Sequence, residues 1–395
     1  MSDLLRHTSA TLIAIAFATA AQAGGSFEKS FYVFEKNIDG AGDGIAPSAG
    51  LIADSNGNLY GTTLAGGAAG EGTVFKIAPD RSETILHSFT GGADGYSPEG
   101  GVIRDAAGNL YGTTSVGGSS NKGTIFKITP DAKESVLYAF TGGADGGNPM
   151  GTLIADAQGN LYGTASSGGD KNKGVVFKFS AGGTQSVLYS FAGGSDGASP
   201  HAGLIMDDQG NLYGTTLSGG KIDNGTVFKV TPSGVETVLH RFTGGDDGFA
   251  PMGELLADNR GSLYGTTKFG GTGSADCQVG IGCGTVFSIA PGGKESILHS
   301  FVGGQDGKYP SSRLIMDGQH NLYGTTEVGG KRYEGVVFKI ARDGTETILH
   351  SFDHRVKRDG TYPSGPLLAD PDFRHLYGET SSGGTKQGVV YLIRP

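Results

Sequence analysis

Seven aspartates recur in one short pattern, Asp-Gly-x-x-Pro, and carboxylates are side chains that bind hard cations well. If these aspartates lay in one ring beside a central channel, they would suit Ca²⁺, which takes several oxygen ligands. The alternative, which we favour, is that each carboxylate accepts backbone N–H groups in a local Asx turn. The seven residues are Asp43, Asp94, Asp145, Asp196, Asp247, Asp306 and Asp359.

The residues that follow each proline differ between copies of the pattern, and four of them could bind a ligand. Glu99 and His201 stand directly after their prolines, and Glu254 and Arg313 stand two positions further on in successive copies. A Glu and an Arg that face each other would give a polar clamp for a ligand. The alternative is an ion pair between neighbouring units, which would contribute little.

The chain has one basic cluster, at residues 354–358, which includes Arg355 and Arg358. Guanidinium groups suit an anionic sugar or a phosphate, so we add these two arginines to the ligand-binding candidates. The alternative is a solvated loop, which is the commoner role of a short charged run.

Cys277 and Cys283 lie six residues apart within an insertion at 270–284. This spacing predicts a small loop disulfide in an oxidising compartment. Two thiolates without a nearby histidine would make only half of a zinc site.

One segment, Gly193-Gly-Ser195-Asp-Gly197, matches the nucleophile-elbow pattern. That motif requires a strand, a sharp turn and a helix, whereas this segment lies in a predicted loop. Other copies replace the serine with Ala93, Ala144, Asp246 or Gln305. The sequence therefore predicts no catalytic residue, and we lean against an enzyme.

These residues belong to a unit that occurs seven times. Its Leu-Tyr-Gly motif recurs every 51 residues over the first five copies. Each unit has four short runs rich in Val, Ile, Thr, Tyr and Phe, separated by Gly, Pro, Asn and Asp, which indicates four strands. Seven four-stranded units predict an all-β, seven-bladed propeller. The motif tyrosines are Tyr60, Tyr111, Tyr162, Tyr213, Tyr264, Tyr323 and Tyr377.

The two ends of the chain complement each other. The last unit stops after its third strand at Ile393, and residues 28–34 align with the fourth strand of the other units. We therefore predict that residues 26–34 form the outer strand of the last blade and close the ring, which removes exposed sheet edges.

Other repeated residues have structural interpretations. His and Tyr exchange at one position of the fourth strand, as at His87 and Tyr138, which argues for packing and against metal ligation. Each Asp before the first turn of a unit is expected to cap that turn. The lysines of Phe-Lys, such as Lys127, are expected to pair with the Glu that opens the next strand.

The motifs Asp-x-x-Gly-Asn-Leu-Tyr-Gly-Thr-Thr, Gly-Thr-Val-Phe-Lys-Ile and Glu-Thr-Val-Leu-His-x-Phe resemble the GloVer-type tandem repeats of exported bacterial proteins. The resemblance covers nearly the whole chain after residue 23. It implies an extracellular or surface protein, and it implies neither an agreed activity nor catalytic residues.

Composition and the N-terminus indicate the compartment and exclude one class of partner. Residues 10–20 are apolar and precede Ala21-Gln22-Ala23, a pattern typical of a secretory signal peptide at 1–23. Residues 24–395 then form a single propeller domain, periplasmic or extracellular, without a transmembrane segment. The net charge of −9 and the lack of long basic stretches argue against nucleic-acid binding.

The sequence supports three functions. We favour an exported, non-catalytic binding or scaffold protein with a glycan or another exported protein as its partner, and with Ca²⁺ as the one cofactor considered. The first alternative is a propeller hydrolase or lyase acting on a polysaccharide, which would use two carboxylates. The absence of Trp weighs against it. The second alternative is a structural envelope or surface component.

Overall fold

The computed structural model describes residues 30–35, 42–272, 276–277, 280–356, 358–384 and 387–395. Its strands form seven antiparallel sheets, one for each sequence repeat. The predicted all-β, seven-bladed propeller is confirmed. The predicted signal peptide at 1–23 lies outside the described residues.

The strands are numbered in chain order, and the first of them belongs to the last blade. The N-terminal strand is β1 (Tyr32–Val33). Blade one contains β2 (Gly44–Pro47), β3 (Ile52–Ala53), β4 (Leu59–Gly66), β5 (Thr73–Ile77) and β6 (Glu83–Ser88). Blade two contains β7 (Ile103–Arg104), β8 (Leu110–Thr114), β9 (Thr124–Ile128) and β10 (Glu134–Ala139). Blade three contains β11 (Ile154–Ala155), β12 (Leu161–Ala165), β13 (Val175–Phe179) and β14 (Gln185–Ser190).

The other four blades repeat this order. Blade four contains β15 (Ile205–Met206), β16 (Leu212–Thr216), β17 (Thr226–Val230) and β18 (Glu236–Arg241), followed by a 3₁₀ turn at Gly245–Asp247. Blade five contains β19 (Leu256–Ala257), β20 (Leu263–Thr267), β21 (Thr285–Ile289) and β22 (Glu295–Ser300). Blade six contains β23 (Ile315–Met316), β24 (Leu322–Thr326), β25 (Val336–Ile340) and β26 (Glu346–Ser351). Blade seven contains β27 (Gly360–Pro363), β28 (Leu368–Ala369), β29 (Leu376–Gly383) and β30 (Val389–Ile393), together with β1.

Neighbouring blades are held together by aromatic rings. The Phe after each fourth strand packs edge-on against an aromatic residue in the third strand of the next blade, as Phe89 does against Phe126 with ring centroids 5.2 Å apart. The same contact recurs around the ring, and in blade seven Tyr391 takes the place of the third-strand Phe. All these rings are buried, so burial of apolar surface between blades is a main source of stability.

The N-terminal strand closes the ring as predicted. β1 pairs antiparallel with β30, with Tyr32 opposite Val390 and Val33 opposite Val389. Phe34 then packs against Phe75 of blade one, with centroids 5.2 Å apart. Of the predicted strand 26–34, residues 26–29 lie outside the described residues.

The first-turn aspartates cap their turns, and they also bind the motif tyrosines. Asp105 accepts hydrogen bonds from the backbone N–H of Asn109 at 2.8 Å and from the Tyr111 hydroxyl at 3.0 Å. The expected pairing of lysine with glutamate is not the contact that forms, because Lys127 Nζ instead lies 5.6 Å from the Tyr111 ring centroid. This stacking on the same blade fixes the tyrosine from its other side.

Candidate functional site

The aspartates of the Asp-Gly-x-x-Pro pattern lie against the outermost strands of the propeller. Asp94 accepts hydrogen bonds from the backbone N–H of Thr90 at 2.8 Å and from the Thr90 hydroxyl at 2.5 Å, and it contacts His87 Nε2 on the preceding fourth strand at 3.3 Å. Asp145 is held in the same way by Thr141 and Tyr138. The remaining aspartates have the equivalent fourth-strand partners Tyr32, Tyr189, His240, His299 and His350.

This placement does not bring the seven carboxylates together beside the channel, which is the arrangement that the calcium hypothesis needs. Each is bound locally in its own loop, but it accepts N–H groups from residues that precede it, such as Thr90 for Asp94 and Thr141 for Asp145, whereas an Asx turn would use the N–H two residues further on. Among the described residues, two groups of three ligand atoms lie within 4.8 Å of one another. One joins His299, Asp306 and Glu346, and the other joins Glu334, Asp353 and His354, so neither consists of the repeated aspartates alone. Calcium binding remains a prediction, and no convergence of these aspartates supports it.

A glutamate from the next blade lies beside the aspartate at most of these rim contacts, and Gln185 takes its place beside Asp145. Burial, with a smaller effect of the charge on Asp94, raises the pKa of Glu134 to about 7. Burial and Asp196 likewise raise the pKa of Glu236 to about 7. The pKa of Glu346 is raised by burial and by a hydrogen bond with Asp306. These glutamates therefore stay protonated at pH values well above those at which a carboxyl group usually ionises. A protonated glutamate is neutral, so it repels the neighbouring aspartate less.

The chain runs inward from this rim to the axis across one face of the propeller. The residue before each proline adopts a left-handed conformation, with φ of 53° at Ser97 and 62° at Tyr309. Its N–H bonds to the preceding blade, as Ser97 N does to Glu71 O at 3.1 Å. The proline then directs the following residues toward the channel mouth. Every blade therefore presents its variable residues at the same place.

Around the propeller axis, the blades approach each other closely where their inner residues are glycines. At blades five and six the equivalent position holds charged side chains. A β-carbon at Gly151 would lie 2.4 Å from the backbone nitrogen of Gly203 in the next blade, so these backbones are in direct contact. At the repeat position of Gly203, Glu254 and Arg313 bring a carboxylate oxygen and a guanidinium nitrogen within 3.5 Å. Their side chains are 17% and 41% exposed, so the guanidinium still reaches solvent.

Glu99 and His201 stand on the same ring of residues, in blades two and four, and both are half-buried. Burial raises the pKa of Glu99, although a hydrogen bond with Ser115 partly opposes this effect. Burial lowers the pKa of His201, which favours the neutral imidazole. Among the described residues, no hydrogen bond or ion pair joins Glu99 or His201 to the Glu254–Arg313 pair.

A second polar cluster lies on this face, and the sequence motifs did not predict it. Lys268 Nζ lies 2.9 Å from both carboxylate oxygens of Glu327, and the Ser311 hydroxyl donates to the same carboxylate at 2.8 Å. Lys268 and Glu327 occupy one repeat position that elsewhere holds Leu64, Ser115, Ser166, Leu217 and Ser381. Charges appear at that position only in blades five and six. This departure from the repeat is the feature of the sequence from which the cluster could have been predicted.

The basic loop lies at the rim, apart from the Glu254–Arg313 pair. Glu334 accepts the backbone N–H of His354 at 2.6 Å and also contacts its ring, which ties the loop to blade six. Arg355 and Arg358 are exposed. Arg358 lines a cavity of about 420 Å³ beside Tyr32, Asp43 and Glu83. Because acidic groups share this cavity, the loop is less suited to an anion than the sequence suggested.

The sequence pattern of the Gloeobacter/Verrucomicrobia repeat matches residues 19–208, 135–280 and 205–395. The chain belongs to this family. Comparison with curated proteins gives no sequence match.

Solved structures show the same fold as this family member. The extracellular domain assigned to a hybrid two-component system of B. thetaiotaomicron superposes with a TM-score of 0.62 at 14% identity, over 93% of this chain and 40% of that one. The repeat-family chain thus spans two fifths of that protein. Oligogalacturonate lyase from Vibrio parahaemolyticus superposes with a TM-score of 0.56 at 10% identity, over 89% and 91% of the two chains. At these identities the likeness shows the propeller fold alone.

The insertion in blade five of this Gloeobacter/Verrucomicrobia repeat protein contains a disulfide between Cys277 and Cys283, whose Cα atoms are 5.4 Å apart. Both cysteines are buried and pack with Val286 and Phe301. The described part of the chain has no helix of the length and apolar character that crossing a bilayer would require.

Proposed function

We propose that this repeat-family propeller is an exported, non-catalytic binding protein whose ligand occupies the channel-mouth face at blades four to six. The observation that carries the proposal is the paired charges of Glu254–Arg313 and Lys268–Glu327, at two repeat positions that hold no charged residue in the other blades. Structural needs are the same in every blade, so charges confined to two blades indicate a role that the fold itself does not require.

Export rests on three separate observations. Residues 1–23 have the pattern of a signal peptide. The Cys277–Cys283 disulfide suits an oxidising compartment. The propeller also resembles the extracellular domain assigned to a hybrid two-component system. Cell fractionation tests this part of the proposal, because a cytoplasmic protein that retains residues 1–23 would contradict it.

A thermal-shift panel on residues 24–395 tests the binding site. The panel contains Ca²⁺, glycans and small metabolites, since any ligand that binds the native state raises the melting temperature. We expect a ligand that stabilises the parent to lose its effect in Arg313→Met and to keep it in Lys133→Met, which lies in a turn of the opposite face. An equal shift in the parent and in Arg313→Met would place the site elsewhere.

The same protein preparation distinguishes the alternative functions. Release of shorter products from a polysaccharide would support a hydrolase or lyase in place of a non-catalytic binding protein. A Ca²⁺ shift that is lost in Asp306→Asn would restore the cation prediction at the rim. No shift with any class would favour a structural envelope component.

A further inference from the structure

Blade five carries an aromatic pair that its equivalents in other blades lack. Phe249 and Phe269 form an antiparallel bridge on the channel-mouth face, with ring centroids 5.2 Å apart. Tyr309, from the loop between blades five and six, lies 5.4 Å from Phe269. The equivalent pairs of the other blades are Ile45–Ala65, Tyr96–Val116, Gly147–Ser167, Ala198–Ser218, Lys308–Val328 and Thr361–Ser382.

These three rings lie outside the packed core. Phe249, Phe269 and Tyr309 are half-buried, whereas the rings that join the blades are completely buried. Since six blades fold without a ring pair here, the fold does not require this one. A cluster of partly exposed aromatic carbon on a polar face is typical of a binding surface.

The Lys268–Glu327 pair and this aromatic cluster are neighbours along the backbone. Lys268 directly precedes Phe269, and the backbone N–H of Glu327 donates to Tyr309 O at 3.2 Å. The lysine and glutamate side chains are 22% and 27% exposed. Two of the three ammonium protons point at Glu327, which leaves a donor for a ligand, and the carboxylate retains lone pairs as acceptors.

The charges of the Glu254–Arg313 and Lys268–Glu327 pairs cancel, which restricts the ligand class at this place on the face. Lys268 balances Glu327 and Arg313 balances Glu254, while burial favours the neutral forms of His201 and Glu99. An anionic ligand would gain no net attraction from these paired groups. A neutral ligand with many hydroxyl groups can use the donors and acceptors without bringing an uncompensated charge.

We propose that this surface binds a neutral oligosaccharide, with one sugar ring on Phe249, Phe269 and Tyr309 and its hydroxyls bonded to Lys268 and Glu327. This inference rests on the proposed binding function. One face of a pyranose ring is made of C–H groups, which gain by leaving water against an aromatic ring. Its edge hydroxyls donate to a carboxylate and accept from an ammonium group, and charge-assisted hydrogen bonds are the stronger kind.

Isothermal titration of residues 24–395 with gluco-, manno-, galacto- and xylo-oligosaccharides, and with uronate oligosaccharides, tests the inference. We expect one neutral series to bind, and Phe269→Ser and Lys268→Met each to weaken binding about tenfold or more. Serine is the residue that blades three and four carry at the position of Phe269. Tyr96→Ala, at the position of Phe249 in blade two, is the matched control and should change affinity less than about twofold.

Several results would overturn this inference. Binding that survives both Phe269→Ser and Lys268→Met in folded protein would place the sugar elsewhere, and Phe249→Ala replaces Phe269→Ser if the latter fails to fold. Tighter binding of uronates than of neutral sugars would refute the neutral class. If no saccharide binds, this inference fails. The proposed function still stands if another ligand gives a thermal shift that depends on Arg313.

Discussion

The glycine of Leu-Tyr-Gly lies under an aromatic ring in every blade. A β-carbon at Gly112 would lie 2.5 Å from Phe126 Cζ, and one at Gly163 would lie 2.8 Å from Phe177 Cζ. These glycines do not have positive φ, so it is the contact that excludes a side chain. The glycine of the motif is thus required by a close contact between the second and third strands, and this contact recurs in all seven blades.

Gly112→Ala is expected to destabilise the propeller by about 2 kcal/mol, because a methyl group forced against a buried ring requires neighbouring atoms to shift. Urea unfolding monitored by circular dichroism measures this change. Gly92→Ala is the control, since its nearest neighbour atom would be 3.7 Å away. Equal midpoints for the parent and Gly112→Ala would show that the Phe126 ring moves aside freely.

At the scale of the elements, the blades meet through acidic pairs at the rim. A glutamate that opens a fourth strand meets the aspartate of the preceding loop, as Glu346 meets Asp306. Blade three has Gln185 at this position, and its amide donates to Asp145 O at 3.1 Å. An amide therefore fits this junction and supplies a hydrogen bond, whereas one oxygen of Glu346 is buried without a hydrogen-bond partner.

Stability is therefore expected to depend on pH in a defined direction. The folded state raises the pKa of Glu134 and Glu236 to about 7, so it binds more protons than the unfolded chain above the ordinary glutamate pKa of about 4.5. The stability contributed by these groups is fully present below pH 4.5 and is lost as the pH rises to about 7. For Asp94, hydrogen bonds outweigh burial and lower the pKa, so its contribution is lost as the pH falls below about 3.8.

Urea midpoints measured between pH 3 and 9 should reach a maximum in mildly acidic buffer and decline toward pH 9. Glu346→Gln should raise the midpoint at pH 8 and flatten the decline, because the amide needs no proton and donates as Gln185 does. Gln185→Glu provides the reverse control and should steepen the decline. A Glu346→Gln protein that is less stable at pH 8 would contradict this account.

At the scale of the whole molecule, the ring closes where the two ends of the chain meet. Thr62, Thr164, Thr215 and Thr266 each donate to a carbonyl of the next blade, but blade seven has Glu379 at this position. Glu379 is completely buried and accepts the N–H of Gly50 in blade one at 2.8 Å. Its other oxygen and the Tyr391 hydroxyl are buried without a hydrogen-bond partner.

Deletion of residues 24–36 should lower the melting temperature by about 10 °C or more. It removes Phe31 and Phe34, which are buried against blades seven and one, and it exposes the edge of β30. A protein that lacks only residues 1–23 is the control in a calorimetric melt. A truncated protein that melts with the control would refute closure by this strand.

The double substitution Glu379→Thr/Tyr391→Phe gives blade seven the residues that the other blades have at these positions. It should stabilise the ring at pH 8. Burial raises the pKa of Glu379 to about 8, so its contribution is present below pH 4.5 and is lost as the pH approaches 8. Removing two unsatisfied buried oxygens should contribute about 1–3 kcal/mol. Denaturant unfolding at pH 5 and pH 8 measures the free energy of unfolding of the parent and of the double variant. A variant that is less stable than the parent at both pH values would contradict this account.

The sequence by itself determined the blade count, the strand positions and the closing strand, because strand composition and turn residues act over a few residues and recur with the repeat. It also brought Cys277 and Cys283 within reach of each other through a short loop. Only the tertiary structure decided that the Asp-Gly-x-x-Pro carboxylates lie at the rim, bound to fourth-strand residues such as His87. Only the ring geometry brings Lys268 to Glu327, 59 residues away. Contacts across blades depend on how sheets pack around the axis, which no local pattern encodes.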